Sequence, residues 1–147
     1  MIKTEIGNSF DGHNKAYVYI WLSKREQVVY VGMTNSYLGT LGRAYSHFSR
    51  KGQLRQRFIE LKGYYINVSE DFTLFSFLLP QKREYIGVEK SYREAVEYLV
   101  QKRLQINRSR VNPSYDVISW VRISPRTSNS EVIRISDDIV SKFLAHY

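Results

Sequence analysis

Tyr17–His47 reads YVYIWLSKREQVVYVGMTNSYLGTLGRAYSH, and the fold follows from how this stretch is parsed. Residues 16–22 (AYVYIWL) and 27–33 (QVVYVGM) are apolar, rich in β-branched and aromatic types, and predict two strands. Ser23-Lys24-Arg25-Glu26 between them predicts a hairpin loop that pairs Leu22 with Gln27 and sets Tyr19 opposite Tyr30. Side chains alternate along a strand, so Tyr17, Tyr19, Trp21, Val28, Tyr30 and Gly32 share one face. Val18, Ile20, Val29 and Val31 share the other, which is expected to face the core. After a loop over 35–40, a helix from about Thr40 to Arg50 places Arg43 and His47 one turn apart on one face.

Outward from this stretch, Asp11-Gly12-His13-Asn14 predicts a turn leading into the first strand. Downstream, Gln53–Lys62 predicts a second, basic helix and Asp71–Leu79 a third strand, ended by Pro80. Ser91 to about Gln105 has the strongest helical pattern in the chain. Asn107–Tyr115 is turn-rich. Val117–Ile123 and Val132–Ile135 are read as strands, residues 124–130 as a loop, and Ser136-Asp137-Asp138 as the start of a last helix reaching Tyr147, with acids in its first turn. The expected class is α+β: a small three-stranded, largely antiparallel sheet flanked by helices, with a C-terminal extension of strand and helix. Residues 1–147 are expected to form one domain, with a core over 16–113 and an extension over 114–147.

Composition narrows the chemistry. The 147 residues carry no cysteine, which excludes a disulfide framework, a thiolate zinc site and a cysteine nucleophile. Three scattered histidines do not make a histidine-rich metal site. No apolar run is long enough to span a membrane and MIKTEIGNSF has no signal-like core, so a cytoplasmic protein is expected. Lys and Arg total 22 against 14 acids, a net charge of +8, which favours a polyanionic partner, nucleic acid first among them. Lys24, Arg25, Arg50, Lys51, Arg55 and Arg57 are candidates for a rim that contacts a phosphate backbone.

Tyr17-Val18-Tyr19 and Tyr30-Val31-Gly32 on one hairpin resemble the two motifs that name the GIY-YIG endonuclease family. The likeness continues with Arg43 and His47 on the following helix, Glu97 on the 91–105 helix, and Arg110-Val111-Asn112 beyond it; in all it covers about residues 16–113. Each motif is short, and the specificity lies in their order, spacing and secondary-structure setting. There are departures: Tyr17 stands where glycine is usual, Met33-Thr34 replaces a common Lys or Ser, and the loop from Tyr30 to Arg43 is longer than in compact members. The resemblance implies a metal-dependent endonuclease that hydrolyses phosphodiester bonds, double-stranded DNA being the expected substrate, with a single Mg²⁺ (or Mn²⁺) held by one carboxylate and water. It further implies that Arg43 binds the scissile phosphate, Tyr30 positions water or stabilises the site, Glu97 binds the metal, and Asn112 braces the site by hydrogen bonding.

The residue types suit that chemistry. A guanidinium matches phosphate oxygens. A free tyrosine titrates near ~10, so Tyr19 serves as a base only if cations lower its pKa; His47, titrating nearer neutrality, is the alternative. On the 91–105 helix, at about 100° per residue, Tyr92, Ala95, Val96, Leu99, Val100 and Leu104 form an apolar stripe. Glu97 sits at its margin, where a cleft would open, whereas Glu94 points away, so Glu97 is favoured as the metal ligand. A non-catalytic nucleic-acid-binding module is the competing expectation. With only about 35 residues beyond the core-like segment, a homodimer or a larger assembly is expected if both strands of a duplex are cut.

Overall fold

The computed structural model describes residues 13–49, 51–67, 72–120 and 122–147. Asp11, Gly12, Arg50, Asp71 and Val121, which enter the expectations above, lie outside them. The fold is α+β. Strands β1 (Tyr17–Ser23) and β2 (Val28–Thr34) form the hairpin. Strand β3 (Thr73–Leu78) lies antiparallel on the other side of β1, and a two-residue β4 (Asp116–Val117) lies parallel to β2. The order is β3-β1-β2-β4, a four-stranded mixed sheet and not the three-stranded one expected.

The hairpin register is displaced by two residues from the expected one. Leu22 pairs with Val29, Tyr19 with Gly32, and Trp21 with Tyr30. Gln27 is the reason: it adopts a left-handed φ of 54° and stays in the turn, so Ser23 completes β1 and the loop runs over residues 24–27. The Ser23 hydroxyl accepts from the Glu26 N–H at 3.1 Å, which steadies that turn. A displacement of two preserves side-chain parity, so the two faces hold the residues assigned to them.

Both faces are covered. Val18, Ile20, Val29 and Val31 pack in the main core with helix α4 (Ser91–Asn107) and helix α5 (Ser130–Ala145). Tyr19, Trp21, Val28 and Tyr30 lie in a second core with Ala44 of α1 (Gly39–Phe48) and Leu54 and Phe58 of α2 (Gln53–Lys62). The tyrosine face is thus turned away from the aliphatic layer but is not a solvent face. Helix α2 has the expected bounds and ends on Gly63, whose φ of 77° lets its N–H close onto Ile59. A short α3 (Arg83–Ile86) precedes α4, and a 3₁₀ turn (Arg108–Arg110) follows it.

Two expectations in the extension are corrected. Val132–Ile135 is helical, not a strand. The Asn129 side chain accepts from the N–H groups of Glu131 and Val132 and starts α5 six residues earlier than Ser136. Val132, Ile135, Ser136, Ile139, Val140 and Phe143 are buried at helical spacing. Over 117–123 the described strand stops at Val117, because the Ser119 hydroxyl takes over as acceptor for the Val31 N–H at 2.5 Å. No helix among the described residues is long and apolar enough to cross a membrane.

Candidate functional site

Tyr19 comes from β1, Tyr30 from β2, Arg43 from α1 and Glu97 from α4, and all four line one cavity of about 360 Å³. That is within the ~300–1,000 Å³ of ordinary ligand sites. Its lining carries four cationic side chains against three carboxylates, a mixed field suited to holding both phosphate and a cation.

Gly32 explains how Tyr19 reaches this cavity. The two residues are cross-strand partners, and the Tyr19 ring lies over the glycine. A Cβ on Gly32 would stand within 2.4 Å of the Tyr19 ring carbon Cζ, so no other residue leaves room for the phenol in this pose. Tyr30 lies beside it and donates to the Gln53 Oε1 at 3.3 Å. Burial is the main force on both phenols. It raises Tyr19 above the usual tyrosine range, with Tyr30 adding to the shift and the Arg43 guanidinium opposing it. It pushes Tyr30 up to about 12, with the Glu97 carboxyl adding and Arg43 and Arg57 opposing.

Arg43 is exposed, while His47, one turn later, is only 2% exposed and packs behind the tyrosines. The His47 Nε2 is 2.5 Å from the Tyr19 hydroxyl, and its ring centroid is 4.9 Å from that of Tyr30. Burial first, and the Arg43 charge second, depress the imidazole to about 4, so it is neutral at pH 7. A neutral imidazole joined to a phenol has two arrangements. Either the phenol donates to a bare Nε2, or the Nε2–H donates to the phenol oxygen and leaves the hydroxyl hydrogen for another acceptor.

Glu97 and Glu94 both line the cavity, and their partners separate them. Glu94 is paired with Lys90 at 3.0 Å. Glu97 has no ion pair among the described residues; its Oε1 accepts only from the Gln101 Nε2, at 3.4 Å. Burial, with the charge of Glu94 second, raises the Glu97 carboxyl to about 8 against the pull of Arg122, Arg43 and Lys90. A carboxyl held this way gains from any cation placed beside it. Gln101 is fully buried, and its Oε1 has no hydrogen-bond partner. No cluster of three or more His, Cys, Asp or Glu among the described residues could hold a metal. The Glu97 carboxylate, with the unpartnered Gln101 Oε1 on the next turn, could hold at most an ion that takes few protein ligands and draws the rest from water and phosphate.

Of the other expected residues, Asn112 is exposed and does not line the cavity. Within the basic rim, Arg57 is a lining residue, and its guanidinium also bonds Glu60. Arg55 donates to the Phe48 carbonyl at 3.1 Å. Lys24 is drawn to the Tyr147 backbone oxygen and lies 4.9 Å from that ring's centroid. Arg25 and Lys51 are exposed outside the lining. The cavity also recruits Gln101, Trp120 and Arg122, which no motif marks. Gln101 had a signal in its spacing, four residues beyond Glu97 on the same helix face. Trp120 and Arg122 had none, since they arrive from the extension. Comparison with family models, curated proteins and solved structures finds no match to this chain.

Proposed function

We propose that this protein is a metal-dependent endonuclease of the GIY-YIG type, acting on double-stranded DNA in the cytoplasm. The observation that carries the reading is the convergence of Tyr19, Tyr30, Arg43 and Glu97, from four elements, on one cavity. The β3-β1-β2 sheet with α1 and α4 corresponds to the catalytic core, residues 16–113, and the segment 114–147 to an extension that closes the cavity.

The geometry supports a role for each residue. Arg43, exposed at the cavity, binds the scissile phosphate through its guanidinium fork. Tyr19 takes the proton of the attacking water as its own hydroxyl proton passes to the His47 Nε2 across 2.5 Å. The new P–O bond forms as the bond to the leaving oxygen breaks, and that oxygen departs with a proton from solvent. This exchange avoids a free phenolate, which burial disfavours. Burial keeps His47 unprotonated at pH 7, so its Nε2 is open to the phenol proton, and it makes the imidazole a weak base that passes the proton on. Tyr30 orients the water. Glu97, with Gln101 at its side, holds the Mg²⁺ or Mn²⁺, which when bound supplies charge neutralisation at the phosphate. Action as a homodimer would cut both strands.

Incubating plasmid with the purified protein and Mg²⁺, beside Glu97→Ala, tests the reading. Nicking or linearisation by the wild type and none by the variant is expected. Intact DNA and RNA with both proteins, across several divalent ions, would leave a non-catalytic binding module in its place.

A further inference from the structure

Trp120 is 61% exposed on the wall of the same cavity, and nothing in the catalytic scheme uses it. Other large apolar side chains are as exposed, Tyr45 and Tyr65 among them, and Trp120 is set apart by its place on the cavity wall. The Arg57 guanidinium carbon lies 4.2 Å from the ring centroid, and Arg57 is itself bonded to Glu60 from the same helix. Ring and guanidinium thus form a stacked pair on the wall of the cavity that Arg43 also lines. The other tryptophan, Trp21, is buried in the second core and plays no such part.

An aromatic platform joined to a phosphate-binding cation is the arrangement that receives a nucleotide with its base out of the helix stack. The cations take the backbone, and the indole takes the π-face of the base whatever its identity. A base inside an intact duplex has both faces occupied and gives Trp120 nothing to stack on. We infer that Trp120 is a stacking platform for an unstacked nucleobase next to the scissile phosphate. The preferred substrate is then nucleic acid with an unpaired or splayed nucleotide at the cut. This deepens the nuclease reading and rests on it. It also gives the extension a task, since Trp120 lies beyond residue 113 and supplies what the core lacks.

The test measures binding of the full chain by fluorescence anisotropy in Ca²⁺, with two labelled probes: a short oligothymidylate and an abasic deoxyribose-phosphate strand of equal length. The wild type is expected to prefer the base-bearing strand by about 5- to 150-fold, the span of one base–aromatic stack. Trp120→Ala should erase the preference, and Trp120→Phe should keep most of it. Equal binding of both strands by the wild type, a comparison that needs no variant, overturns the proposal, as does a preference that survives Trp120→Ala. If plasmid is still cut in Mg²⁺ in that case, the stacking role falls and the nuclease reading stands. If no strand or duplex is bound or cut, both fall.

Discussion

At Glu97, burial and a neighbouring carboxylate work against ionisation, and this has a pH signature. The carboxyl is raised in the folded chain from 4.5 to about 8, so between those values the folded state holds a proton that the unfolded chain has lost. Stability from this group is therefore full below about 4.5 and is lost as pH rises through about 8. Without metal, the wild-type Tm should fall relative to Glu97→Gln between pH 5 and 8, and Mg²⁺ at pH 8 should raise the wild-type Tm and not the variant's. Parallel pH profiles with and without Mg²⁺ would count against the carboxyl as the metal's holder. Gly32 gives a second residue-level expectation. A methyl there meets the Tyr19 ring, so Gly32→Ala should cost about 1–3 kcal/mol from overpacking and displace the phenol from His47. Denaturant melts beside plasmid cleavage would show it; full activity at unchanged stability would mean that Tyr19 has room to spare.

At the scale of elements, some boundaries were legible and others were not. The faces of the hairpin followed from alternation alone, and the basic segment Gln53–Lys62 was read as a helix with the bounds α2 has. Helical angle put Glu97 at the margin of an apolar stripe, but it also set Glu94 pointing away, and Glu94 lines the same cavity. Register was not legible, because a displacement of two residues leaves every side chain on its face and alternation cannot see it. Val132–Ile135 misled for a different reason: three β-branched residues in a run of four look like a strand until the cap before them is recognised. That cap supports a prediction. Asn129→Ala removes the acceptor for two N–H groups of α5 and should cost about 1 kcal/mol, or a Tm drop of about 2–4 °C for a chain of this size. A melt that does not move would show that packing against α4 alone starts the helix.

For the whole molecule, a net charge of +8 makes attraction to phosphate general, yet the structure distributes that charge unequally. Arg57 faces the cavity, whereas Lys24 is engaged by Tyr147. If binding releases counterions, Arg57→Gln should reduce the slope of log K against log salt by about 1, and Lys24→Gln should leave it unchanged. Equal slopes for the two variants would make the basic surface diffuse and not focused on the cavity. The sequence also could not show that the extension completes the site. Trp120 and Arg122 carry no spacing that ties them to Tyr30 or Glu97; β4, pairing beside β2, leads the chain to the cavity they line. Asn112, in contrast, sat in a recognisable motif and does not line the cavity.

The fit of Gly32 against Tyr19 has a meaning for folding as well. Two pairings of this hairpin satisfy hydrophobicity equally, and only one sets the phenol against a residue with no side chain. Together with the Gln27 turn, the glycine thus acts as a pairing key, turning a choice that polarity leaves degenerate into a single closure. A chain that lacked the key would be free to assemble a correctly greasy but misaligned hairpin. It would put Tyr19 beside Tyr30, hide the same surfaces, and still fail to build the site.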